Sequence, residues 1–265
     1  MCGIFGFILK KPLPMGKIFE VMKKLEKSQY PNEDQPVGGY GAGVAVMLPD
    51  GNIISEKVGK TGDSPVSQLS DVMKAGFKDL KAAQVVVAHV RFPSSQLMGT
   101  VKFKEAAQPY VEHFEQQLTV VSAHNGNVEN YKELKSLLKT HVFESEKVGF
   151  VDSEVIPHYF GKILNEMDDA NAAAYQLLST LKGSSAIALL QVEEEDAFLH
   201  LIHKGSARGL VVWANDKGEV IFCSRPEPVE EPLKELLAIG RFKQKVAINW
   251  KEEAGLKLSF PVVFE

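Results

Sequence analysis

The sequence predicts an α+β fold of mainly antiparallel sheets, on three observations. Strand-like segments come in clusters with helical segments grouped between them, whereas a parallel doubly wound sheet needs strict alternation. Pro49-Asp50-Gly51-Asn52 separates two β-rich runs, as in a hairpin. The last third of the chain is dominated by short apolar, β-branched runs. With no internal repeat, low-complexity tract or linker, residues 1–265 are expected to form one domain, long enough to bury a substantial core.

In chain order, Ile4 to Leu9 reads as a buried strand. Ile18, Val21, Met22 and Leu25 recur at helical spacing and predict an amphipathic helix over about Met15 to Ser28. Tyr30 to Gly41 is loop, with two prolines and three glycines between Pro31 and Gly41. Strands follow at Val44 to Leu48 and Ile53 to Val58, then a helix over roughly Val66 to Lys81. Val85 to Ala88 is continuously apolar and β-branched, as a central strand should be. A strand at Leu118 to Ala123 runs into His124-Asn125-Gly126. Helices are expected near Tyr131 to Lys139, Ser153 to Asn165 and Ala172 to Leu181. Strands are expected at Ala186 to Val192, Phe198 to His203, Leu210 to Ala214 and Val220 to Ser224. A short helix near Leu233 to Ile239 then precedes strands at Lys245 to Asn249 and Leu256 to Val263.

Composition narrows the function classes. The chain is 45% hydrophobic and 24% charged, and its 30 basic residues are outweighed by 34 acidic ones, so no basic field for nucleic acid is expected. Two cysteines, Cys2 and Cys223, exclude a disulfide scaffold and point to a reducing compartment. No apolar run has the length of a membrane span, and no secretory leader pattern opens the chain, so a cytoplasmic protein without membrane contact is expected.

Cys2 directly follows Met1. Removal of Met1 would leave one residue carrying a thiol and an α-amine whose ordinary pKa, ~8, suits it as a proton acceptor. Taken alone, Cys2 reads as well as a small apolar residue opening a buried strand. Arg91, in His89-Val90-Arg91-Phe92-Pro93-Ser94, can present a planar fork to a carboxylate; taken alone it reads better as a surface arginine closing a strand. Asn125 offers an amide donor and Gly126 an unobstructed N–H, together suited to an oxyanion; the plain alternative is an Asn-Gly turn. Asp152 could hold an ammonium group, or simply cap the helix whose buried face begins at Val155 and Ile156.

The ordered set Met-Cys-Gly-Ile-Phe-Gly, His-Val-Arg-Phe-Pro-Ser, Ala-Gln-Pro at 107–109, His-Asn-Gly-Asn and Asp-Ser-Glu resembles the class II glutamine amidotransferases, which are N-terminal nucleophile hydrolases. The resemblance covers about the first 165 residues, and the Arg91 and Asn125 segments look most like the amidophosphoribosyltransferase type. It implies a four-layer αββα sandwich of two antiparallel sheets. It also implies roles: Cys2 as nucleophile with its α-amine as base, Asn125 and Gly126 as oxyanion hole, and Arg91 and Asp152 as ligands for the α-carboxylate and α-ammonium of L-glutamine. Where the family carries an Arg-Gly pair after the first helix, this chain reads Gln35-Pro36-Val37-Gly38-Gly39-Tyr40-Gly41.

The expected activity is hydrolysis of glutamine to glutamate and ammonia by a free-standing domain, with ammonia passed to a separate synthase chain. Two alternatives stay open: a related amidohydrolase acting on another amide or γ-glutamyl compound, and a catalytically silent glutamine-binding regulatory subunit. No cofactor is expected. No metal is expected either: His200 and His203 fall on opposite faces of a strand, and His89 and His124 read as hydrogen-bonded core residues. Oligomeric state is not legible.

Overall fold

The computed structural model describes residues 2–30, 33–115, 117–167, 169–193, 196–205, 209–238, 242, 244–247 and 255–264. The elements are β1 (Gly3–Pro14), α1 (Met15–Lys27), β2 (Gly41–Met47), β3 (Ile53–Gly59), α2 (Pro65–Gly76), β4 (Ala82–Val90), β5 (Tyr110–His113), β6 (Thr119–Gly126), α3 (Tyr131–Ser136), α4 (Val155–Met167), α5 (Ala170–Thr180), β7 (Ser185–Glu193), β8 (Asp196–Lys204), β9 (Val211–Ala214), β10 (Val220–Cys223), α6 (Glu227–Glu230), β11 (Gln244–Ala247) and β12 (Leu256–Pro261). One sheet has the order β11-β9-β10-β1-β4-β2-β3 and the other β12-β8-β7-β6-β5. Every pairing is antiparallel.

Side-chain alternation explains why the two sheets stack. Strand neighbours point to opposite faces, and in β1 both faces are apolar. Phe5, Phe7 and Leu9 pack with Ile18, Met22 and Leu25 of α1 and Val66, Leu69 and Met73 of α2. Ile4 and Ile8 join Val85 and Val87 of β4 on the opposite side, against Val121 and Ala123 of β6, Ala186 and Ala188 of β7, and Leu199 and Leu201 of β8. The outer face of the second sheet, with Val120, Ile187 and Leu189, is covered by Ile156, Phe160 and Ile163 of α4 and Ala173 and Leu177 of α5. Three apolar layers therefore separate four structural ones, the expected αββα order.

Local chemistry accounts for several boundaries. The β2–β3 hairpin turns on Gly51, at φ +83°, with the Asn52 N–H donating to Asp50 Oδ1 at 3.1 Å. At the start of α2, Ser64 Oγ accepts the Ser67 N–H, and the buried Glu26 carboxylate accepts from Ser64 Oγ at 2.5 Å and the Val66 N–H at 3.1 Å.

Differences from the sequence reading have physical causes. The second helix stops at Gly76 rather than Lys81, because Phe77 and Leu80 keep packing on the first core layer at helix-like spacing after the helix has ended. The third stops at Ser136 rather than Lys139. Residues Asp152–Glu154 form a 3₁₀ turn ahead of α4. The short helix expected near 233–239 is instead α6, followed by turns in which Leu233 N–H bonds Val229 O and Leu237 N–H bonds Leu233 O. Ile239 lies outside the described residues, as do 248 and 249 of the strand expected at Lys245 to Asn249. β5 was not expected. Among the described residues no helix is long and apolar enough to cross a membrane.

Candidate active site

Strand register brings the chemistry-bearing residues together. Gly3 pairs with Val90, so the start of β1 lies beside the end of β4, placing Cys2 next to Arg91 and Phe92. The thiol donates to Phe92 O and accepts from the Phe92 N–H, each at 3.4 Å. Arg91 is fixed from the other side: its N–H donates to Gly41 O at 2.8 Å, and its carbonyl accepts from Tyr40 N–H at 3.0 Å. From the second sheet, β6 ends at Asn125 and Gly126 opposite Ala186 and Ser185.

A cavity of about 450 Å³ opens where these strand ends meet. Cys2, Arg91, Gln108, Gly126, Val128 and Asp152 are among the residues lining it. Four of the five expected site residues thus share one cavity. Asn125 does not line it. Following Val121 and Ala123, it points between the sheets, buried, its Nδ2 without a hydrogen-bond partner among the described residues. An orphaned buried donor costs ~1–3 kcal/mol, a cost recovered only when an acceptor arrives.

Arg91 carries the clearest electrostatic signal. It is 3% exposed, not the surface residue that the plain reading of the sequence favours. Its guanidinium donates to Thr100 Oγ1 at 2.6 Å and Thr100 O at 3.3 Å. No carboxylate lies within ion-pair distance of it among the described residues. Burial lowers its pKa, a pull opposed by Cys2 and Tyr110. An arginine desolvated without a counter-charge is poised for an anion.

Although Cys2 as a residue is only partly buried, its sulfur is packed deeply enough that burial dominates and raises the thiol pKa. The Phe92 hydrogen bond and the Arg91 charge oppose that rise, and Asp152 adds to it. The thiol is therefore protonated at neutral pH and needs a base. Cys223 is fully buried, its thiol pushed up to about 12 by burial.

Asp152 is not an N-cap. Its Oδ2 accepts the Val128 N–H at 2.7 Å, tying the 3₁₀ turn to the segment after Gly126. Gly126 sits at φ +152°, and a Cβ there would come within 2.0 Å of Ser184 O. The Asn-Gly pair thus serves a close backbone approach at the cavity wall.

The histidines divide. His124 is buried between Ser153 Oγ at 2.8 Å and Ser185 Oγ at 3.1 Å, as a hydrogen-bonded core residue should be. Burial lowers its pKa to about 4, with Asp152 opposing. His89 departs from that expectation: among the described residues neither ring nitrogen makes a well-formed hydrogen bond, and burial, helped by Arg91, lowers it to about 3.

Sequence reasoning missed the part played by Gln108. Its Oε1 accepts the His124 N–H at 2.7 Å and its Nε2 donates to His124 O at 3.1 Å, so one side chain holds the backbone just before Asn125. The 107–109 segment was visible as a motif, but its partner was not. The loop lacking the Arg-Gly pair contributes Tyr40, whose ring makes an edge-to-face contact with Phe92 at 5.0 Å and carries Lys60 Nζ over it at 4.2 Å.

A family model described as a glutamine amidotransferase domain matches residues 95–231. That span includes Asn125, Gly126 and Asp152 but not Cys2 or Arg91. The chain is 33% identical over 201 residues to a glutamine–fructose-6-phosphate aminotransferase (isomerizing) of Pyrobaculum aerophilum, covering 74% of this chain and 29% of the relative. It is 30% identical over 197 residues to the protein of that name from Halalkalibacterium halodurans, covering 74% and 28%. The chain therefore spans less than a third of these relatives. In structure it is similar to the glutamine phosphoribosylpyrophosphate amidotransferase of B. subtilis, with TM-score 0.63 and 19% identity over 97% of this chain and 49% of that one. The two-sheet α+β sandwich is thus the fold expected of an N-terminal nucleophile hydrolase.

Proposed function

Because the chain belongs to the glutamine amidotransferase domain family, we propose that residues 1–265 act as one domain hydrolysing L-glutamine to glutamate and ammonia. The observation that carries this reading is Arg91: a buried guanidinium without a carboxylate partner among the described residues, lining the same cavity as Cys2 and Asp152. A ligand bearing an α-carboxylate supplies the missing anion, and one bearing an α-ammonium as well can use the Asp152 carboxylate.

In the proposed reaction the Cys2 sulfur attacks the side-chain amide carbon of glutamine while the α-amine takes the thiol proton. Gly126, on the cavity wall, stabilises the oxyanion through its N–H, and Asn125 Nδ2, a buried donor without a partner among the described residues, joins it by turning toward the cavity when substrate arrives. The α-ammonium returns a proton to the departing nitrogen, releasing ammonia and leaving a γ-glutamyl thioester. Water then attacks the thioester, giving glutamate and restoring the thiol. His124, held neutral between two serines, positions the turn rather than moving the proton. Ammonia would pass to a synthase active site outside these residues, in keeping with relatives whose names couple glutamine to an acceptor sugar phosphate.

The test is glutamate and ammonia release by Met1-free protein, with Met1-retaining protein as comparison. Retained Met1 makes the Cys2 nitrogen an amide and removes the base, so turnover should be confined to the processed form. Equal activity in both forms would eliminate the α-amine as base. No turnover in the processed form, alone or with a synthase partner, would favour the silent glutamine-binding subunit.

A further inference from the structure

Away from the cavity, three side chains from separate parts of the chain converge. Glu112 comes from β5, His141 from the connection after α3, and His158 from α4. His141 Nδ1 lies 3.0 Å from His158 Nδ1, and Glu112 Oε1 lies 3.3 Å from His158 Nδ1 and 3.8 Å from His141 Nδ1. We propose that this triangle is a binding site for a divalent transition ion of the imidazole-preferring class, zinc first, with two histidines and one carboxylate as ligands.

Geometry carries the assignment. Zinc–nitrogen and zinc–oxygen bonds of ~2.0–2.1 Å in a tetrahedron set neighbouring ligand atoms about 3.4 Å apart. The three observed edges bracket that value, and a point about 2.0 Å from all three atoms exists. The donor set of two imidazoles and one carboxylate suits zinc, cobalt and nickel better than magnesium or calcium.

The metal-free cluster also has a proton problem that an ion resolves. Two Nδ1 atoms 3.0 Å apart cannot both carry a proton along their line, nor can both face each other as lone pairs without cost. One N–H must be shared between the other ring and the carboxylate. A divalent cation at the common point would be within bonding distance of all three ligand atoms at once, leaving a fourth position for water or a further ligand. His158 has only 3% of its side chain exposed, while His141 and Glu112 keep 18% and 24%, so the cluster is open to solvent on one side. The neighbouring cation Lys162 pairs with Glu166, which reduces its opposition to a bound ion.

The site was invisible in the sequence because His141 and His158 are 17 residues apart and Glu112 precedes them by a further 29, a spacing that matches no local chelating pattern. A bound ion would join β5, the edge strand of the second sheet, to α4, the helix that follows Asp152. The site stands independently of glutamine hydrolysis.

The test uses residues 1–265 with Cys2→Ala, so that the cavity thiol cannot bind metal. Zinc retained after gel filtration is measured by elemental analysis, and cobalt(II) is titrated while recording the visible absorption of four-coordinate cobalt. One ion per chain is expected, with affinity falling about a hundredfold or more in His141→Ala and in Glu112→Gln. Zinc should raise the Tm of the parent and leave that of both variants unchanged. His158→Ala risks misfolding, so the two partly exposed ligands decide the case. Absence of zinc binding at about 100 µM metal, or binding that survives both substitutions, would overturn the assignment.

Discussion

Replacing Arg91 by methionine separates a substrate ligand from a structural arginine. The side chain is 3% exposed and its guanidinium reaches only Thr100 among the described residues. Thr100 Oγ1 also donates to Leu97 O at 2.7 Å, so the threonine stays anchored without Arg91. An apolar side chain of similar length removes an uncompensated buried charge, and such exchanges are often neutral or stabilising. The ligand-free stability of Arg91→Met should therefore stay within about 1 kcal/mol of the parent or exceed it. Glutamine binding should collapse. A charge-assisted bidentate contact is worth ~2–3 kcal/mol, or roughly 30- to 150-fold in Kd. At glutamine equal to about 100 times the parent Kd, ligand stabilises the parent by ~2.7 kcal/mol, about 5–10 °C in Tm for a chain of this size. The same concentration gives the variant only ~0.3–0.8 kcal/mol, about 1–3 °C. Thermal unfolding with and without glutamine, in a Cys2→Ala background that prevents turnover, reads both quantities. A full glutamine shift in the variant would refute the carboxylate assignment, and a ligand-free loss of several kcal/mol would show that Arg91 serves the fold.

Further outcomes follow from the same geometry. Cys2→Ala should abolish turnover and keep the fold, and a glutamine-like electrophile should label Cys2 while sparing buried Cys223, as peptide mapping would show. Asp152→Asn keeps an oxygen for the Val128 N–H; it should leave Tm nearly unchanged, weaken glutamine binding and reduce discrimination against analogues lacking the α-amine. Asn125→Ala should lower kcat by about a hundredfold or more with a smaller change in KM. Gly126→Ala should cost about 3 kcal/mol or more, since its Cβ meets Ser184 O, and denaturant unfolding would measure the loss. Burial holds the imidazoles of His89, His124 and His200 at about 3, 4 and 4. The unfolded chain, with histidines near ~6.5, binds more protons between about pH 6.5 and 4, so stability should fall as pH drops through that window and hold above it, by up to roughly 3 kcal/mol per imidazole. A flat stability profile from pH 7 to 4.5 would contradict this.

Legibility in the sequence tracked the range of the contacts involved. Cys2, Arg91, Gly126 and Asp152 stood out because each sits in a compact motif at a strand or helix end. Their meeting in one cavity follows from antiparallel registers that alternation and hairpin signals already favoured. Asp152 was misread as a possible cap because capping is judged from the next three residues, whereas its partner, Val128, lies 24 residues earlier. The Gln108 clamp on His124 was missed for the same reason. Helix ends were overrun where Phe77 and Leu80 continued an apolar rhythm without helical backbone. β5 is four residues at a sheet edge with only Tyr110 buried, too short for alternation to declare itself.

The place of β1 within its sheet has a temporal consequence. Its two neighbours are β4, ending at Val90, and β10, where Phe5 pairs with Cys223. During synthesis the segment carrying the thiol emerges well before β10, and it gains its second flank only after some two hundred further residues have left the ribosome. Contacts so distant along the chain form slowly. The strand that follows Cys2 would thus stay flanked on one side only through much of translation, and in the proposed reaction its nucleophile would be fully framed late. An arrested or truncated chain ending before Val220 would carry Cys2 beside a strand with one edge bare, although every residue lining the cavity had already been made.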